Sequence, residues 1–294
     1  MTSRSRTVRR VLGRVGLGLL ATLTLLVAYG MFVEPRLVLD EERFRVDVPG
    51  LPAGSSPTVA VFSDLQVGMW FSNDDMVGDI VAEVVEERPD AALVAGDFVL
   101  GRDPSPAEQM EKVAGLLSPL TAAGIPTYAV LGNHDYAVDA ADEVATALQA
   151  IGVVVLRNAS ATVPGAAGLR VVGVGPARPD QVDVDAALDG VPADAPRVVM
   201  MHNPVTFPRL PAGSAPLAVA GHTHCGQITI PYLPLWSWYE LTVAERVAVG
   251  GWAPGGYGAP GNRLHVTCGI GFSMLPMRIA APPQVVFFEL QPAA

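Results

Sequence analysis

Four of the five histidines in this 294-residue chain stand in short polar clusters where apolar runs end. The runs close on SDLQ (63–66), GDF (96–98), GNHD (132–135), HNP (202–204) and GHTH (221–224). Together they offer Asp64, Gln66, Asp97, Asn133, His134, Asp135, His202, His222 and His224. Carboxylate, imidazole and amide groups in combination are the donor mix of a divalent-metal site. A single Asp or Asn after a strand reads equally well as a turn or a cap. Five such clusters in order, each after an apolar run, do not read that way as a set. Neither Ser nor Cys is placed as a nucleophile, so any hydrolysis here would rest on metal-activated water.

Bringing those clusters together requires elements that end at one place. TVAVF and the following Ser (58–63) form an apolar run that reads as a strand buried on both faces. A helix is predicted over 73–88, with Ser72 and Asp75 as a capping-box pair and Pro89 beyond its end. Strands follow at 91–97 and 127–135, with helices near 106–123 and 139–150. VVVL, LRVVGVG, RVVMMHNP (197–204) and LAVAGHTH (217–224) continue the strands. Strands alternating with helices imply an α/β domain with a largely parallel sheet, whose ligands gather at the carboxyl ends of the strands. Residues 231–262 are rich in aromatics, Gly and Pro and read as long loops, before RLHVTCGIGF and QVVFFEL as closing strands.

The beginning of the chain is different in kind. Residues 1–14 hold five arginines and no acid, and residues 15–33 are uncharged. Nineteen such positions are enough to cross a bilayer as a helix. The arginines would keep residues 1–14 cytoplasmic and the body on the extracytoplasmic face. The alternative is a cleaved signal peptide ending near Ala28-Tyr29-Gly30, and Arg9-Arg10 also hints at twin-arginine export. Residues 34–57 read as a stalk that becomes an edge strand at Arg43–Val48, and 58–294 as a single catalytic domain. Beyond residue 14 the chain carries 14 basic and 29 acidic residues, which disfavours nucleic acid as a partner. Cys225 reads as a small structural residue rather than a ligand, and a disulfide to Cys268 is one option for an exported chain. His265 reads as structural or as a rim residue. Trp236, Trp238, Tyr239 and Trp252 would form a mouth over the site, dip into the bilayer interface, or pack in the core.

The series D-x-Q, GD, GNHD, H and GHTH over residues 58–228 resembles the calcineurin-like metallophosphoesterases. CGIGFSMLPMRIAAPP (268–283) is similar to the closing segment of their membrane-anchored bacterial phosphodiesterase branch. The resemblance implies a four-layer α/β/β/α sandwich of two mixed sheets flanked by helices, behind an N-terminal transmembrane helix. It implies two divalent cations at one sheet edge. Asp64, Gln66, Asp97 and His224 would hold the first, and Asp97, Asn133, His202 and His222 the second. His134 would meet the phosphate and leaving group, with Asp135 orienting its ring. A hydroxide shared by the cations would attack in line, and the substrate would be a phosphodiester, with a lipid or cell-envelope diester suggested by the anchor. Gln66 departs from the family, which has histidine there. An amide oxygen favours manganese or magnesium over zinc or iron, so manganese is the expected ion, and the first cation should be held more loosely. Gln66 could instead bond a water on that cation, or mark a degenerate, non-catalytic scaffold. A monomer is expected.

Overall fold

The computed structural model describes residues 3–230, 233–242 and 249–293. Helix α1 (Ser3–Ala28) runs through a wider turn at Tyr29–Val33 into the short α2 (Glu34–Leu37). The residues from Arg10 to Leu37 are long and apolar enough to cross a membrane, and none of their most apolar stretch is buried.

Two six-stranded sheets follow. Strands β1 (Asp40–Val48), β2 (Thr58–Phe62), β3 (Ala91–Val94), β4 (Thr127–Ala129) and β5 (Val154–Val155) belong to the first. Strands β6 (Ala159–Thr162), β7 (Arg170–Val174), β8 (Arg197–Met201) and β9 (Leu217–Ala220) belong to the second. A separate hairpin of β10 (Thr229–Ile230) and β11 (Leu233–Ser237) comes next. β12 (Gly251–Trp252) and β13 (Leu264–Val266) complete the second sheet, and β14 (Gln284–Pro292) the first. The orders are β1-β14-β2-β3-β4-β5 and β12-β13-β9-β8-β7-β6. Both sheets are mixed: β14 is parallel to β1 but antiparallel to β2, and β6 and β12 run against their neighbours.

Period-two side-chain alternation explains why the strands read as unbroken apolar runs. In β2, Val59 and Val61 enter the core between the sheets, while Ala60 and Phe62 enter an outer core. In β8, Val198 and Met200 face the middle, and Val199 and Met201 face the opposite outer layer. The first outer core is closed by α3 (Asp74–Glu87), α4 (Pro106–Ala122) and α6 (Ala141–Ala150). The second is closed by α7 (Val184–Leu188) and a tight turn at Pro204–Arg209. The four-layer sandwich expected from the sequence is therefore the observed fold.

Three local expectations differ. Helix α3 has Asn73 at its N-cap position, with no side-chain cap bond and no box between Ser72 and Asp75. The Asn73 amide instead donates to the carbonyls of Pro35 (2.9 Å) and Ile270 (3.0 Å), a tertiary use that outcompetes local capping. The third predicted strand stops at Ala129, because GNHD bends into the short helix α5 (Asn133–Ala137). The edge strand expected within residues 34–57 is present as β1, but the segment leading into it is packed against the domain rather than a free stalk. Glu34 and Pro35 are buried, Glu34 accepts from the amides of Ala280 (3.0 Å) and Ala281 (2.7 Å), and β1 pairs along its whole length with β14. The side chain of Trp236 lies outside the described residues, as do Met1 and Thr2.

Candidate metal centre

Each cluster sits just past a strand end, on loops of unusual backbone. Asp64, Gln66, Asp97, His222, His224, Cys225 and Gln227 all adopt positive φ, between 43° and 75°. Left-handed backbone at non-glycine residues costs about 1–3 kcal/mol apiece, so the surrounding structure must impose it. Loop-to-loop hydrogen bonds do so: Asp64 N to Gly96 O (2.9 Å), Gln66 N to Asp97 O (3.0 Å), and Gly221 N to His202 O (3.1 Å). Two glycines make the room. A Cβ at Gly132 would collide with the Asp97 carboxylate, and one at Gly221 with Ser63 and Asp64.

The buried Asp97 lies at the middle. Its Oδ2 is 3.2 Å from His202 Nε2 and accepts from Gln66 Nε2 at 3.4 Å, while its Oδ1 accepts from the His134 amide at 2.8 Å. Ligand atoms of Asp97, His202 and His222 all fall within 4.8 Å of one another. Asn133 Oδ1 is 3.1 Å from His202 Nε2, joining the same group. On the other side, Asp64 Oδ1 is 3.6 Å from His224 Nε2, and Asp64 accepts from the His222 amide and from Ser63 Oγ. Gln66 Oε1 is buried without a hydrogen-bond partner. An orphaned buried acceptor on the amide that bonds Asp97 is a poor arrangement unless a cation completes it. The donor set therefore fits divalent metal.

The electrostatics agree. Burial alone would push the Asp97 carboxyl up, but His202, His134 and His222 hold it well below the usual carboxylate range. Burial opposes charge on His202, yet Asp97 raises it to about 9. A cation supplies the same positive charge and would displace that proton. His202 is poised for the exchange, since its Nδ1 donates to Ala95 O at 2.8 Å and leaves Nε2 to face Asp97. His224 is held in the opposite sense. Arg278 Nη2, which can only donate, lies 3.1 Å from His224 Nδ1, so the neutral ring carries its proton on Nε2, toward Asp64. Burial first, and then Arg278, lower His224 to about 4. The two imidazoles are thus unequal as ligands.

His134 lines the pocket with Gln66, His222, His224, Trp238, Tyr239 and Met274. Its Nδ1 donates to Leu100 O at 3.2 Å, leaving Nε2 4.0 Å from Asp97 Oδ2. Asp135 does not orient that ring. Its Oδ1 accepts from the amides of Phe98 (2.9 Å) and Val99 (3.2 Å), and its Oδ2 from Gly132 (2.8 Å). Neighbours in a helix do not face one another, so Asp135 turns back onto its own N-cap and the GDF loop. Burial, with Asp97 nearby, pushes its carboxyl up to about 7.

Cys225 and Cys268 form a disulfide that ties the GHTH turn to the segment after β13. Trp238 and Tyr239 begin α8 (Trp238–Thr242) and line the mouth, whereas Trp252 packs on His265, Phe44 and Phe288 beside the inter-sheet core. His265 is structural, buried in that ring cluster. Sequence reasoning missed Arg278 and Gln227. The buried Arg278 also donates to the carbonyls of Gly271, Cys268 and Ala281. Its signal was present, as it is the only Asp, Glu, Lys or Arg between Arg263 and Glu289.

A calcineurin-like phosphoesterase family model matches residues 57–226. Phosphodiesterase YaeI of Escherichia coli is 30% identical over 222 residues, covering 73% of this chain and 75% of the relative. A metallophosphoesterase of Helicobacter pylori is 28% identical over 242 residues, 80% of this chain but 60% of the relative, so the chain spans under two thirds of that protein. A transmembrane protein with metallophosphoesterase domain from Danio rerio is 25% identical over 91% of this chain and 61% of its own length. Among solved structures, a dimetal phosphatase from Danio rerio aligns over 75% of this chain and 90% of its own, at 12% identity and a TM-score of 0.42.

Proposed function

The chain belongs to the calcineurin-like phosphoesterase family of metal-dependent phosphoester hydrolases, and we propose that it is a membrane-held phosphodiesterase using two divalent cations of unequal affinity. The observation that carries this reading is the buried Asp97 carboxylate shared between two donor groups, His202 with His222 on one side and Gln66 on the other. Asp97, Asn133, His202 and His222 form the tighter set. Asp64, Gln66, Asp97 and His224 form the looser one, weakened by an amide in place of imidazole and by the Arg278-held tautomer of His224. Manganese suits the oxygen-rich looser set.

Cations bound there would lower the pKa of water and stabilise charge developing on phosphorus. The chain supplies the remainder. His134 presents Nε2 to the pocket while Leu100 O holds its other nitrogen, the arrangement of a group that protonates a departing alkoxide. Asp135 fixes the loops on either side of Asp97 through three amides. The apolar helix before residue 38 supports membrane attachment, and the disulfide supports an oxidising, extracytoplasmic setting for the domain. A lipid or cell-envelope phosphodiester is the substrate class consistent with that location.

Elemental analysis of the purified full chain after manganese loading tests the proposal, alongside hydrolysis of bis(p-nitrophenyl) phosphate. Two ions per chain, filled in two steps, and loss of both ions and turnover in Asp97→Asn are expected. Full metal loading in Asp97→Asn would refute it.

A further inference from the structure

We propose that the rim of the catalytic mouth is itself seated in the bilayer, so that the site opens at headgroup level onto lipid-borne phosphoesters; this rests on the membrane-held reading above. The argument begins with the helix. At 1.5 Å per residue, a span beginning after Arg14 crosses about 30 Å of hydrocarbon near residue 33–34. Gly30 therefore lies in the last turn of the span. Gly30 is buried against Met277 and Ile279, and its carbonyl accepts from Arg278 N at 2.9 Å. One residue pair further on, Phe32 meets the ring of Phe71 at 5.6 Å. Arg36 then lies over Phe71 at 3.9 Å and donates to Phe71 O at 2.9 Å. With Glu34 bound to Ala280 and Ala281, the helix end is clamped to the domain at both segments. The domain cannot swing away from the surface.

The segment that grips Gly30 is also the mouth. Met274 lines the pocket, and three residues later Met277 touches the helix, at most about 10 Å along the chain. Gln227 staples this segment to the GHTH turn, accepting from Ser273 N at 2.9 Å and donating to Leu275 O at 2.7 Å.

The exposed apolar side chains fall in the same places. Among the described residues beyond Val38, seven large hydrophobics are exposed: Trp70, Val154, Val205, Ile230, Leu241, Met274 and Leu275. Five of them lie within four residues of a pocket-lining residue: Trp70 after Gln66, Ile230 after Gln227, Leu241 after Tyr239, Leu275 after Met274, and Met274 itself. Trp70 is 77% exposed and stacks beside Phe71, which carries the contact to the helix. An exposed tryptophan next to a membrane helix is the residue of the bilayer interface. Continuity with that helix commits the surface to lipid rather than to a second protein.

The full chain reconstituted in vesicles of equal parts phosphatidylcholine and phosphatidylglycerol provides the test, with phosphatidylcholine brominated near the headgroup as quencher. Tryptophan emission should be quenched. Trp70→Phe should lose a large share of the quenched emission, and Trp252→Phe should not. Leu275→Glu, outside the pocket lining, should reduce quenching while bis(p-nitrophenyl) phosphate turnover stays unchanged. A chain that resists alkaline extraction from the vesicles but keeps Trp70 unquenched overturns this inference alone. A chain released by alkaline extraction overturns the membrane reading with it. Quenching of Trp70 without diester turnover supports the seated rim and refutes the hydrolase assignment instead.

Discussion

Replacing Arg278 by methionine keeps a chain of similar reach and removes a buried guanidinium that donates five hydrogen bonds. Three carbonyls, those of Gly271, Cys268 and Ala281, lose their donor inside the protein. Hydrogen bonds to a charged group contribute about 1.5–3 kcal/mol each, offset here by relief of the cost of burying the charge. That cost is real, since burial lowers the Arg278 pKa to about 10. A net loss of about 3–5 kcal/mol follows from the uncompensated carbonyls, or roughly 6–20 °C in Tm for a domain of this size. The same variant frees His224 Nδ1, lets the ring move its proton there, and exposes Nε2 as a ligand. Thermal unfolding in detergent and a manganese titration read the two effects separately. Arg278→Met should unfold earlier yet bind its second manganese more tightly, and Arg278→Lys should fall between on stability. A Tm within about 2 °C of the parent, or an unchanged second binding step, refutes the assignment of Arg278 as the residue that positions His224.

Three further outcomes are expected. His134→Asn should lower turnover of a diester with a poor leaving group about 10²–10⁴-fold, with a smaller effect for p-nitrophenolate, while manganese content is unchanged; equal losses for both leaving groups would remove proton donation from its role. Burial holds His265 at about 4, below its unfolded value near 6.5, so its contribution is complete above pH 6.5 and is lost as pH falls toward 4. Stability should drop by up to about 3 kcal/mol across that window, moderated by Glu42 at 3.4 Å from Nε2, and His265→Phe should flatten that limb of a urea-unfolding series. Replacing Cys225 and Cys268 together by serine opens a loop of 43 residues and should cost up to about 4 kcal/mol in urea unfolding, where an unchanged midpoint would show the bond carries no stability.

The cluster of candidate metal donors was legible because those residues follow apolar runs directly, and a strand buried on both faces announces its own end. Asp64, Asp97, His202 and the GHTH histidines needed only that rule. The four-layer sandwich was legible only through the family resemblance; that β14 would pass between β1 and β2 was not, because strand order depends on pairing far along the chain. Asn73 and Ser72 show where local rules fail: a capping-box pattern was present, but Asn73 was recruited by Pro35 and Ile270 instead. Residues 34–57 read as a stalk that becomes an edge strand, whereas Glu34 at their start is buried on two amides 246 and 247 residues away. Arg278 failed for the same reason, being 54 residues from the histidine it holds.

The place of β14 has a consequence for how such a chain is made. Its partners β1 and β2 precede it by more than 220 residues, as in Asp40 opposite Gln284 and Val61 opposite Val286. A ribosome therefore releases both flanking strands long before the piece that joins them exists. Until it arrives, the apolar edge of β2 and the charged strand β1 both stand unpaired, and loop closure of this length is slow. Assembly is thus a late, single event, and holdase chaperones have a defined interval in which to act.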